Sequence, residues 1–209
     1  METITDAQNQ LELYLLEVED KYLKSHLGSI ESPNDYMFDV KSYCILCHAA
    51  FEEYMENICI VLLQEVWENF IFHQRYSYST LCLLHFKGDA EDIDDENWGD
   101  NQKMFDYIKE KLKTIKNTYS IYLMSNNHGV SMKYLKKMLI PLGLDIPLNP
   151  IWQNSLTQLA KFRGGYAHTS KRVATTLSPE DANKYVYDVY DMMIDITSKA
   201  RHIHYYSIH

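Results

Sequence analysis

SYCILCHAAFEEYMENI, residues 42–58, carries Tyr43, Cys47, Phe51, Tyr54 and Ile58 at steps of three or four, the period of one face of an α-helix. Outward in both directions the period persists: Tyr36 and Val40 precede the stretch, and Val61, Leu62 and Trp67 follow it. The spacing predicts one long helix from about residue 35 to residue 72. Its other face bears Glu52, Glu53, Glu56, Glu65 and Glu68. A helix of that length with so continuous an apolar stripe is a spine that other elements must cover. The 209-residue chain holds only 7 Gly and 5 Pro, with 46% apolar residues, a composition of long regular elements and few turns. No segment shows a persuasive two-residue alternation. The expected fold is therefore all-α, a helical bundle of about five to seven helices, in a single domain over residues 1–209.

The same stretch contains Cys44-Ile-Leu-Cys-His48, the spacing that attaches a c-type haem. Leu46, Phe51, Met55, Ile58 and Leu62 place it on an amphipathic helix, and no secretory signal opens METITDAQNQ. Four-coordinate zinc would need a second ligand pair, which Cys59 and Cys82 do not form by spacing. The cysteines are expected to be buried thiols of a cytoplasmic chain, with no metal and no cofactor. No apolar run approaches the ~18 residues of a membrane span, so no membrane partner is expected.

Around the spine, residues 4–27 read as a helix from Leu11, Leu13, Leu15, Leu16, Val18, Tyr22 and Leu23, with Thr5 or Asp6 near its start. Ser32-Pro33-Asn34-Asp35 marks a turn and the entry to the spine. Residues of about 76–100, ending in GDAEDIDDENWGDN, read as an acidic loop or insertion. Helical period returns over 101–119, over a short helix from Ser131 through Leu139, over 151–162 and over 179–205. For the last, Ser178 is the expected cap, Pro179 suits the first turn, and Glu180 and Asp181 favour the positive helix end.

The net charge of −9 is unevenly spread. Residues 1–100 hold 5 Lys/Arg against 21 Asp/Glu, whereas residues 101–175 hold 12 against 3. A basic middle on an acidic chain is compatible with a phosphate-binding surface, and equally with ordinary solvated helix faces.

The chemistry-bearing stretch is LTQLAKFRGGYAHTSKR, residues 156–172. On a continuous helix Arg163 and His168 would diverge by about 140°. Gly164 and Gly165 predict instead that the helix ends near Arg163 and that the chain turns the imidazole back toward the guanidinium. A histidine moves a proton near neutral pH and an arginine offers a planar fork to phosphate oxygens, so the pair suits phosphodiester chemistry without a metal. By spacing alone it equally suits an Arg that ends a helix and a His that caps carbonyls.

Arg163-Gly-Gly-Tyr-Ala-His168 resembles the R-x(4–6)-H motif of the HEPN superfamily of ribonucleases and nucleotide-binding proteins. Its R-G-x-x-A-H form, with the upstream His48-Ala-Ala-Phe-Glu-Glu-Tyr-Met-Glu56, is similar to the branch known as RiboL-PSP-HEPN-like domains. One position departs from the pattern: Gly164 stands where many active members carry Asn, Asp or His. The resemblance implies a metal-independent endoribonuclease in which Arg163 and His168 are catalytic and leave a 2′,3′-cyclic phosphate. It further implies RNA as substrate, a homodimer that brings two motifs together, a toxin or phage-defence setting, and an antitoxin or other defence-system protein as partner. Glu52 and Glu56 are expected to support the site, Glu56 by orienting Arg163. Tyr166 and Thr169 flank the histidine as further supporting residues, and Lys161, Lys171 and Arg172 extend a basic surface for the RNA backbone, to which Lys133, Lys136 and Lys137 could add. The alternative is a noncatalytic helical module that binds a nucleotide or a partner protein.

Overall fold

The computed structural model describes residues 3–88, 103–125, 129–168 and 177–208; over 164–168 it describes the backbone alone. Among these, seven α-helices account for almost all regular structure, as the composition predicts. The spine is α2, Pro33–His73, 41 residues and so about 60 Å long. It opens with Pro33 in the first turn and with the Asp35 carboxylate accepting the Ser32 backbone N–H at 3.0 Å and the Ser32 hydroxyl at 2.9 Å, which ties the chain at the helix entry. Its apolar stripe is fully buried at Val40, Tyr43, Cys44, Cys47, Phe51, Met55, Ile58, Cys59 and Leu62. Cys44, Cys47 and His48 are buried, and all four cysteines are free thiols in the interior.

The first and last helices of the chain both pack on the spine. The helix α1, Ile4–Tyr22, is capped by Thr3, whose hydroxyl accepts the Asp6 N–H at 3.1 Å, and lays Leu11, Leu15 and Val18 against α2. The last helix, α7, spans Pro179–Arg201 and is capped by Ser178 as the sequence predicts. It buries Val186, Val189, Met192, Met193 and Ile196. Polar ties register it: Tyr43 Oη donates to Asn183 at 3.1 Å, Tyr54 Oη meets Thr197 Oγ1 at 2.7 Å, and Tyr187 Oη donates to Glu19 of α1 at 2.6 Å.

The region expected to be an acidic loop from about residue 76 begins differently. A three-residue strand, β1, Arg75–Ser77, leads into the helix α3, Tyr78–Lys87. Ser77 caps it by accepting the Thr80 N–H, and Cys82 and Leu83 are buried, so a short apolar run preceded by a cap forms a helix despite its poor period. The acidic stretch proper, residues 89–102, lies outside the described residues. β1 pairs antiparallel with β2, Tyr205–Ser207, in the register Arg75↔Ser207, Tyr76↔Tyr206, Ser77↔Tyr205. Two strands of three residues are too short to show an alternation, which is why the all-α reading omits them.

The remaining helices close the bundle: α4, Met104–Ser125; α5, Met132–Leu139, followed by a 3₁₀ turn over Ile140–Leu142; and α6, Pro150–His168. The spine packs on α1, α4, α6 and α7. No described helix is long and apolar enough to cross a membrane.

Candidate active site

α6 is entered through Asn149, whose Oδ1 accepts the Ile151 N–H at 2.9 Å, with Pro150 in the first turn. Its inward side is fixed by Ser155, Leu156 and Leu159, all fully buried. Ser155 Oγ donates to Asp188 of α7 at 2.6 Å, and Lys184 reaches the same carboxylate at 2.9 Å. Arg163 is the next position of the stripe set by Leu156 and Leu159, and it is half-buried. An arginine on the packed side of a helix is thus carried toward the spine, while Lys161, two residues earlier, is exposed.

The helix does not end at Arg163. It continues through Gly164 and Gly165 to His168, against the turn that the glycine pair predicts. Each glycine weakens a helix by about 1 kcal/mol relative to alanine, yet the helical backbone runs on through both. On the continuous helix the positions of Arg163 and His168 stand about 140° apart around the axis and about 7.5 Å apart along it. The turn that would return the imidazole to the guanidinium of the same chain is therefore absent. The side chains of Tyr166 and His168, and the whole of Thr169, Lys171 and Arg172, lie outside what is described.

The residue of the spine that feels the charge of Arg163 is one the sequence reading did not select. His48 is buried at 3% exposure, and its Nε2 lies 3.1 Å from the Val130 carbonyl oxygen. A carbonyl only accepts, so Nε2 carries the hydrogen and Nδ1 the lone pair. Nδ1 has no hydrogen-bond partner among the described residues. Burial lowers the imidazole to about pKa 4; the bond to Val130 opposes that shift and the positive charge of Arg163 adds to it. His48 is therefore neutral at neutral pH, and Arg163 is near enough for its charge to matter.

The loop before α5 completes the arrangement. Gly129 has φ of +121°, and a Cβ there would lie 3.1 Å from His48 Cε1 and 3.9 Å from Glu52 Oε2. Only glycine satisfies both that backbone and that closeness. Glu52 and Glu56, four and eight residues beyond His48, continue its face of α2 and are half-buried. Glu53 points elsewhere, into the groove between α1 and α2 lined by Tyr14, Tyr54 and Asn57. The site thus gathers His48 and Glu52 from α2, Gly129 and Val130 from a loop, and Arg163 from α6. The spacing that could have revealed His48 is its place one turn before Glu52, on the carboxylate side of the helix.

Lys133, Lys136 and Lys137 are exposed on α5, directly after that loop. Among the described residues no three His, Cys, Asp or Glu side chains could together hold a metal ion.

A family model described as RiboL-PSP-HEPN matches residues 11–201. No curated protein and no solved structure matches the chain. The matched span runs from within α1 to the last residue of α7, and it contains both His48–Glu56 and Arg163–His168, the segments that the fold brings toward one another across α2 and α6. The chain belongs to the RiboL-PSP-HEPN family.

Proposed function

We propose that this chain is a metal-independent endoribonuclease, a single HEPN domain over residues 1–209 that acts as a toxin or phage-defence effector. Family membership points to RNA as substrate. The observation that carries the reading is Arg163, half-buried in line with Leu156 and Leu159 on α6, a helix that packs on the spine, in a chain whose family motif closes at His168.

His168 takes the proton of a ribose 2′-OH as O2′ attacks the adjacent phosphorus in line with the departing O5′. The P–O5′ bond breaks, O5′ receives a proton, and the products are a 2′,3′-cyclic phosphate and a 5′-OH. Arg163 stabilises the charge that accumulates on the phosphoryl oxygens. DNA lacks the attacking hydroxyl and is not cut. Glu52 and Glu56 support the site, Glu56 by orienting Arg163. Tyr166 and Thr169 contact phosphate or sugar, and Lys161, Lys171 and Arg172 hold the RNA backbone, with an antitoxin or other defence protein restraining the activity.

The separation of Arg163 and His168 on one continuous helix supports a symmetric homodimer. There the base of one motif and the acid and guanidinium of the other meet on one phosphate, and one chain alone need not supply both. The same separation, with Gly164 in place of a polar residue, favours a second reading: a noncatalytic module that binds a nucleotide or a partner protein.

The deciding experiment incubates a labelled RNA with wild type and His168→Ala in excess EDTA and reads both cleavage and the product end group. Cleavage by wild type, ending in a cyclic phosphate and reduced about 100-fold or more in the variant, is the expected result. A folded wild type that cuts none of several RNAs overturns the ribonuclease reading in favour of the binding module.

A further inference from the structure

Buried polar atoms are nearly always hydrogen-bonded, and a native exception calls for a reason. His48 supplies one such exception on the helix against which α6, the helix of the motif arginine, is packed. Its Nε2–H is committed to the Val130 carbonyl, its ring is 3% exposed, and Nδ1 is unpartnered among the described residues. Three features make the ring a fixed object. The carbonyl sets its tautomer, Gly129 closes over Cε1, and Cys44, Cys47 and Phe51 of the same helix are fully buried around its backbone.

A guanidinium carries five N–H donors in one plane. A phosphate engaged by its fork consumes two of them, and the rest need acceptors where water is excluded. Glu52 lies one turn beyond His48 on the same face, and the charge from a packed element that bears on the ring is that of Arg163 of α6.

We propose that His48 is a positioning residue of the RNA-cleaving site: its Nε2–H pins the Gly129–Val130 loop to α2, and its Nδ1 lone pair accepts from the Arg163 side chain when that guanidinium grips a phosphate. The role rests on the ribonuclease reading of Arg163. His48 is too buried to touch RNA and acts through the arginine. A lysine at 163 would bring a point charge without the planar fork that can serve a phosphate and an imidazole together.

The test compares wild type, His48→Gln, His48→Leu and Arg163→Met. Gln can donate to Val130 and present an oxygen acceptor, while Leu fills the space and can do neither. Imidazole ¹⁵N shifts are followed through a pH titration, and RNA cleavage is measured in EDTA as a function of RNA concentration. The expected result has three parts. The His48→Leu rate at saturating RNA falls about 10- to 100-fold, the scale of a misplaced catalytic group, with half-saturation nearly unchanged. His48→Gln restores most of the loss. Arg163→Met raises the pKa of a His48 that is protonated on Nε2. The proposal is overturned if folded His48→Leu cleaves at the wild-type rate, if folded His48→Gln is no better than Leu, or if the His48 titration ignores Arg163→Met. Should wild type cut no RNA, the ribonuclease reading fails separately, and the titration alone decides whether His48 answers to Arg163.

Discussion

At Gly129 the chain turns with φ of +121° while the His48 ring stands 3.1 Å from where a Cβ would be. Alanine there is expected to lower stability by about 1–3 kcal/mol, the cost of a backbone that side chains avoid, and to push the imidazole off Val130; urea unfolding and RNA cleavage read the two effects. The thiols of the same stretch are governed by burial. It pushes Cys44 up to about 12 and raises Cys47 and Cys59 well above the ordinary thiol range. Since the thiolate is the reactive form, a thiol reagent is expected to modify few cysteines of the native protein and all four after unfolding. Reaction of Cys44 or Cys47 in the folded chain would contradict the packing described. Arg163 was singled out at this scale because Arg163-Gly-Gly-Tyr-Ala-His168 resembles the family motif. His48 was not, because its one signal, a place one turn before Glu52, gains meaning only once α6 is known to pack on that helix.

Among the elements, two glycine positions test opposite conformations. Gly143, after the 3₁₀ turn, has φ of +71°, and its Cβ would meet Tyr78 Cδ1 at 2.9 Å and Cys82 Sγ at 3.4 Å. Gly143→Ala is expected to destabilise by about 1–2 kcal/mol from the left-handed backbone, and by more if Tyr78 cannot yield. Gly164 lies inside α6, where alanine is the better helix former by about 1 kcal/mol. Gly164→Ala is therefore expected to raise the urea midpoint, whereas a helix that ended at Arg163 with Gly164 in a left-handed cap would be weakened by it. The sign of that one change decides between the helix observed and the turn that the sequence suggests. Element existence was readable from the three-to-four period for α1, α2, α4, α5, α6 and α7. The period failed for α3, whose Leu81, Cys82, Leu83, Leu84 and Phe86 are apolar nearly all round, and for strands of three residues.

For the molecule as a whole, two histidines set opposite pH limbs. His26 is held between Asp39 at 3.0 Å and Glu31 at 2.6 Å, and those hydrogen bonds raise its pKa. Its stabilising contribution is complete below the unfolded value of ~6.5 and is lost as pH rises through the folded one. His48 runs the other way: lowered to about 4, it refuses a proton that the unfolded chain accepts, so stability falls as pH drops from ~6.5 toward 4. Between pH 7 and pH 5 that loss is on the order of 2 kcal/mol. His48→Gln is expected to remove it, as urea unfolding at the two pH values would show; an unchanged acid limb would mean that His48 is solvated. The uneven charge of the chain now has places: the exposed Lys133, Lys136 and Lys137 follow the loop that touches His48 and Glu52, and the spine bears the carboxylates. By itself the sequence determined the helical class, the spine and its caps, the burial of the thiols and the family motif, because these depend on periods and neighbours within one element. Only the tertiary structure decided that α6 runs on through its glycines and that the charge of Arg163 bears on His48, because neither the end of a helix nor the nearness of segments more than 100 residues apart is set by periods within one element.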